Sequence, residues 1–170
     1  MTMSNEKGVS ELSAVAAVAE SQERHWLSFL IGAQLYAAPL NEVSEVIRIG
    51  ELTPVPGAAA DLLGIRLLRG RIVPVLDGHL RLGLPLLPVA DPERVRVVML
   101  SHGNHLVGLR VDDIGELLHT EGHEIAPPPP GRASRTDDPV SGVLAWQGGF
   151  VALLDVRRLC RLQRESGDGI

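Results

Sequence analysis

Four histidines crowd into a short stretch of the second half, His102, His105, His119 and His123. Imidazole nitrogens gathered in this way are common ligands of zinc and related metals. Their surroundings argue otherwise. His102 and His105 bracket Gly103-Asn104, and His119 and His123 bracket Glu121-Gly122, so each pair belongs to an exposed turn. No second Cys and no repeated HxxxH on a helix completes a metal set. The reading is of no metal and no cofactor, with a small metal-dependent enzyme built from these loops as the competing class. Asp77 and Asp155 each close an apolar run ahead of a short helical segment. Two matched carboxylates suit acid and base catalysis, yet an Asp at that place caps a helix by accepting a backbone N–H, and capping is the stronger reading. Cys160 stands beside Arg157, Arg158 and Arg161; neighbouring guanidinium groups lower a thiol pKa, the plain alternative being an apolar filler at a helix edge. No G-x-S-x-G, Walker loop, G-x-G-x-x-G or kinase signature occurs. What remains is Glu45 on a strand and Arg69 on a turn, either solvated charges or contacts to a partner's opposite charge.

The element that positions Arg69 is Gly64–Asp77. Two short apolar runs flank Arg69-Gly70-Arg71, the pattern of a β-hairpin with charges at its tip. Gly142–Asp155 has the same outline, with Gln147-Gly148 at the break. Positions 35, 43 and 45 recur as 106, 114 and 116, and residues 64 and 77 as 142 and 155. The chain is therefore an internal repeat. Each half supplies about five short strands punctuated by Gly and Pro, which predicts a mainly β fold of two small barrels side by side with a groove between them. The predicted division is a tail over 1–24, a first barrel over 25–83, a linker over 84–93, and a second barrel with a terminal helix over 94–170. Exchange of strands between the barrels stays open. One helical turn is expected within Ala58–Leu63, strands over Arg94–Leu100 and Ile114–His119, a polar loop over Gly131–Pro139, and a last helix with Leu159 and Leu162 on one face.

A net charge of −5 with 3% aromatic residues excludes the basic, ring-bearing face of a nucleic-acid module and gives no attraction to an anionic membrane surface. Apolar runs are broken well before the roughly 18 residues that span a bilayer. The single cysteine makes no internal disulfide and no charged-then-apolar leader opens the chain. The expected location is cytoplasmic.

Several separated motifs then resemble one family. Phe29-x-x-Gly-x-x-Leu35-Tyr36-x-x-Pro39-Leu40-x-x-Val43-x-Glu45-Val46-Ile47, Leu52–Pro56, the hairpin from Gly64 to Asp77, Arg81-Leu82-Gly83, Gly108-Leu109-x-Val111-Asp112-x-Ile114-x-Glu116, Gly142-Val143 and Leu153-Leu154-Asp155 follow the order seen in the CheW family of chemotaxis coupling proteins. The resemblance covers about residues 25–163. It implies two five-stranded SH3-like barrels and a non-enzymatic adaptor. Its implied partners are the signalling tip of methyl-accepting chemotaxis receptors, the regulatory domain of the histidine kinase CheA, and other CheW copies in receptor arrays at the inner face of the membrane. By motif position the receptor contact falls on Val43, Glu45 and Arg69, and the kinase contact on Thr53, Pro54, Val55 and Gly64. A paralogue serving a pilus-motility or other chemosensory pathway fits the same motifs. The chain departs from the family at Arg66, Leu67, Gly78 and His79, where the usual hairpin carries an Asn and the usual helix start reads Asp-Leu-Arg.

Overall fold

The computed structural model describes residues 25–85, 88–129 and 138–161. The expected N-terminal tail, residues 131–137 of the polar loop, and Leu162 fall outside them. Eleven strands are described: β1 His25–Ile31, β2 Gln34–Pro39, β3 Val43–Ile47, β4 Leu62–Leu68, β5 Arg71–Asp77, β6 Arg96–His102, β7 His105–Val111, β8 Asp113–His119, β9 Ile125–Ala126, β10 Val140–Trp146 and β11 Gly149–Leu154. Two one-turn helices, α1 Gly78–Arg81 and α2 Val156–Leu159, follow β5 and β11. The two long hairpins turn on Arg69-Gly70 and Gln147-Gly148. All four residues have positive φ, 50° and 79° in the first pair and 46° and 77° in the second, the geometry of the two-residue turn that matches strand twist.

Local departures from expectation have local causes. No helix forms over Ala58–Leu63. Gly57, directly after the stiff Pro54-Val55-Pro56 segment, takes φ 75°, and two successive turns lead instead into β4, with Ala58 N donating to Val55 O and Leu62 N to Ala59 O. Before β6 the chain makes a single 3-10 turn at Pro92–Arg94, capped by Asp91 Oδ1, which accepts from Glu93 N at 3.1 Å. The two-residue β9 is too short to carry a period, and it adds a sixth strand to one sheet. Pro74 lies in β5, which has neighbours on both sides, but pairing with β7 runs only from Val75 to Asp77. The missing donor therefore falls ahead of that ladder.

The strands form two sheets in the orders β8-β1-β2-β11-β10-β9 and β3-β6-β7-β5-β4. Neither sheet is built from one half of the sequence. Sheet 1 takes β1 and β2 from the first half and β8 to β11 from the second, while sheet 2 takes β3 to β5 from the first and β6 and β7 from the second. The exchange is symmetric. Under the repeat, β8-β1-β2-β11-β10 maps onto β3-β6-β7-β5-β4 strand for strand. Even the parallel registers agree, with Ala37 opposite Leu153 in one sheet and Gly108 opposite Val75 in the other.

Three apolar clusters show how the sheets lie. Val73, Val75, Val97 and Met99 pack with Ile47 of β3 and Leu63 and Leu68 of β4. Because β3 and β4 are the outermost strands of sheet 2, that sheet curls on itself. Leu118 of β8 and Leu144 of β10 share a second cluster with Ala37, Val151 and Leu153, so sheet 1 curls likewise. The largest cluster draws on both sheets, including Phe29, Ile31 and Tyr36 from one and Leu76, Val98, Leu100 and Leu109 from the other. Burial of this shared layer holds the two lobes together, since apolar area removed from water contributes roughly 25 cal/mol per Å².

Candidate partner-binding surfaces

Curling of sheet 2 carries the tip of the β4–β5 hairpin to the opposite edge strand. Arg69 Nη2 lies 3.1 Å from Glu45 Oε2 on β3, with the two side chains 78% and 25% exposed. Two residues separated by 24 positions are thus one ion pair. Val43, at the start of β3, pairs with Leu100 and packs partly against the shared core. Just before it, Glu42 Oε2 lies 2.9 Å from His102 Nδ1, so a second acid at this edge is also met by a side chain from a hairpin.

Thr53, Pro54, Val55 and Gly64 gather at the outer edge of β4. Thr53 N donates to Ile65 O at 2.9 Å and Ile65 N to Thr53 O at 2.8 Å, so the proline-rich segment adds one bridge to the sheet. That approach requires glycine at 64: a Cβ there would sit 2.7 Å from the Thr53 carbonyl oxygen. Pro54 is exposed and Val55 is 40% exposed. Apolar groups are left facing solvent beside an ordered backbone.

The carboxylates and histidines do not converge. Asp77 Oδ1 accepts from Leu80 N at 3.1 Å and Asp155 Oδ1 from Arg158 N at 3.2 Å, so both aspartates cap their helices. Their settings differ: Asp77 is buried and meets Arg110 Nη1 at 3.3 Å, whereas Asp155 is part-exposed and meets Arg158. His102 is tied to Glu42, while His119 and His123 pack edge-on with centroids 5.3 Å apart and both lie against Trp146. Trp146 Nε1 in turn donates to Glu116 Oε1 at 3.2 Å, which draws β10 toward β8. Among the described residues no group of three or more His, Cys, Asp or Glu side chains is placed to hold a metal ion.

Of the two readings of Cys160, the apolar filler holds: it packs against the shared core. Burial pushes its pKa up from the ordinary 9.0 to about 11, Glu42 adds to the rise, and Arg81 only partly opposes it. Arg81, and not an arginine adjacent in sequence, is the cation that acts on the thiol, and desolvation of the thiolate prevails over it.

One polar cluster was missed by reading along the chain. His79 Nε2 lies 2.9 Å from both carboxylate oxygens of Asp112, and Asp112 Oδ2 also accepts from Gly32 N at 2.7 Å. It joins α1 of one lobe to the β1–β2 turn of the other, at the bend where the chain passes from sheet 2 to sheet 1. A cavity of about 400 Å³ opens over it, lined also by Arg94, Asp91 and Asp113. Its traces in sequence are the family departure at His79 and a break in the repeat, since the positions equivalent to His79 and Asp112 are Arg157 and Asn41.

Two curled sheets fused through a common core, with their distinctive features on strand edges and hairpin tips, define a double-lobed β module of the protein-binding kind. A family model described as CheW-like domain matches residues 25–164, and the chain belongs to that family. It is 29% identical over 134 residues to the chemotaxis protein CheW of Rhizobium meliloti (strain 1021), covering 78% of this chain and 84% of the relative. Protein FrzA of Myxococcus xanthus is 29% identical over 161 residues, covering 89% and 94%. The crystal structure of scaffolding protein TtCheW from Thermoanaerobacter tengcongensis superposes with a TM-score of 0.69 at 25% identity, covering 78% of this chain and 89% of that one. Among the described residues no helix is long and apolar enough to cross a membrane.

Proposed function

We propose that this protein is a non-catalytic adaptor coupling methyl-accepting chemotaxis receptors to the histidine kinase CheA within a signalling array at the inner face of the membrane. The observation that carries the reading is the family match over most of the chain together with the exchanged two-lobed fold. In this reading the edge formed by Val43, Glu45 and Arg69 meets the receptor tip, and the β4 edge formed by Thr53, Pro54, Val55 and Gly64 meets the kinase regulatory domain. Ordered backbone with exposed apolar side chains at the second edge suits recognition of another folded domain. A free, salt-screened ion pair at the first suits reversible recognition, because exchanging one carboxylate partner for another costs little. The likeness to FrzA, which extends over as much of the chain as the likeness to the chemotaxis proteins, favours a second reading in which the receptor and kinase belong to another chemosensory pathway.

Reconstitution tests the proposal. Kinase autophosphorylation is measured with receptor signalling fragments, in the presence and absence of this protein, for each receptor and kinase pair encoded beside it. The expected result is receptor-dependent control of the kinase only when the protein is added. Absence of binding to every such receptor and kinase overturns it.

A further inference from the structure

Helix α1 ties the two lobes together through polar contacts on one side of the molecule. It begins at Gly78, where a Cβ would lie 2.5 Å from the Arg110 carbonyl oxygen and 2.8 Å from Ile31 Cδ1 of β1, so the missing side chain lets the helix press against the other lobe. The next residue supplies the tie. His79 is buried, and its Nε2 lies 2.9 Å from both carboxylate oxygens of Asp112. The same carboxylate accepts from Gly32 N at 2.7 Å, and Asp112 N donates to Leu30 O at 2.8 Å. Two residues after His79, the buried Arg81 donates from Nη2 to Arg158 O of α2 at 2.7 Å.

The repeat shows that folding does not demand this tie. Positions equivalent to His79, Arg81 and Asp112 are Arg157, Leu159 and Asn41. Arg157 and Asn41 are exposed, and Leu159 is buried in the shared core, so α2 docks by apolar contact where α1 uses polar groups. The layer between the lobes is apolar, and apolar attraction is non-directional. It opposes separation of the sheets while distinguishing weakly among small changes in their mutual angle. Hydrogen bonds are directional, and a carboxylate held by His79 from one lobe and Gly32 from the other does distinguish them.

We propose that the His79–Asp112 node sets the mutual angle of the two lobes, with His79 as the positioning residue, so that surfaces on sheet 1 and sheet 2 are presented in one fixed relation. This is a property of the chain itself and stands whichever partners it serves. The node lies beneath the cavity of about 400 Å³, at whose rim Arg94 pairs with Asp91 and Asp113. Water entering that cavity reaches Asp112 once the imidazole is removed, which keeps the carboxylate from being stranded unpaired. Loss of the tie therefore falls on geometry more than on stability.

The test reads the distance between lobes in the full chain from spin labels on Leu67→Cys and Phe150→Cys, in a Cys160→Ala background. Both labelled residues are exposed and stand near the tips of the β4–β5 and β10–β11 hairpins. With the node intact, one narrow distance distribution is expected. His79→Phe keeps a ring of similar size and removes the tie; the distribution is expected to widen about twofold or more, with a small fall in melting temperature. His79→Gln, whose amide still donates to the carboxylate, is expected to restore most of the narrowness. Asp112→Ala is expected to widen the distribution as His79→Phe does, and the double variant no further than Asp112→Ala alone, because both act through one node. Val75→Ala, in the apolar cluster of sheet 2, lowers stability with the node intact, and its distribution is expected to stay narrow. An unchanged distribution in either His79→Phe or Asp112→Ala overturns the proposal, and so does equal widening in Val75→Ala.

Discussion

Asp77 and Asp155 occupy the same place in the repeat and cap equivalent helices, yet their substitutions are expected to differ in cost. Replacing a capping Asp by Ala costs about 1 kcal/mol, and both positions lose that much. At Asp155 the remaining loss is small. Its partner Arg158 is three residues away with side chains 31% and 39% exposed, and pairs of that kind contribute about 0–1 kcal/mol. At Asp77 the carboxylate is 2% exposed, and the Arg110 side chain it meets is 28% exposed. Removing one partner of a fully buried pair costs about 3–5 kcal/mol. Arg110 can still reach water with part of its guanidinium, so about 1–2 kcal/mol is the fitting share, with Arg110 Nε left buried and without a partner in either state. Asp77→Ala is therefore expected to cost about 2–3 kcal/mol and Asp155→Ala about 1 kcal/mol, or roughly twice the fall in melting temperature at about 2–4 °C per kcal/mol. The Asn variants divide the two contributions. Asn caps as well as Asp, so Asp155→Asn is expected to be near neutral while Asp77→Asn keeps the loss of the ion pair. Urea unfolding followed by far-UV dichroism measures all four, with unchanged slope as the check that the denatured state is the same. Equal losses at the two aspartates would refute the reasoning that burial, and not position in the repeat, sets the cost.

Gly64→Ala places a Cβ 2.7 Å from the Thr53 carbonyl; overpacking of this sort costs about 1–3 kcal/mol. Hydrogen exchange is expected to show faster exchange at the Thr53 and Ile65 amides first. Arg69→Ala removes a largely exposed pair and is expected to change stability by less than about 1 kcal/mol, while weakening binding to a receptor signalling fragment; a large drop in melting temperature would assign the pair to the fold instead. Cys160, with its pKa raised to about 11, is expected to alkylate slowly near pH 8 in the native protein and rapidly once unfolded. Because the folded thiol holds its proton to higher pH than the unfolded one, the unfolded chain binds fewer protons between about pH 9 and 11, and stability falls across that window. A Cys160→Ala variant lacks this contribution to the alkaline slope.

Much of the fold was legible because its signals are local. Turn dipeptides at Arg69-Gly70 and Gln147-Gly148, alternation along each strand, and an aspartate ahead of each short helix act over a few residues, and the repeat made each reading twice. The motifs from Phe29 to Asp155 carried the family. Glu45 and Arg69 could be named as charged residues of interest, but their pairing depends on sheet 2 closing on itself, which no sequence spacing encodes. Likewise the hairpin's period marks Leu67 and Ile72 as strand residues without saying that their face looks outward.

Taken alone, the order of amino acids determined the strands, their turns, the doubled architecture and the family, since each follows from propensities and patterns within one element. Tertiary structure alone decided that the two halves exchange their first hairpins, that His79 and Asp112 meet at the crossing between sheets, and that burial outweighs nearby arginines at Cys160. Those outcomes depend on which distant surfaces exclude water together, and desolvation belongs to the assembled whole.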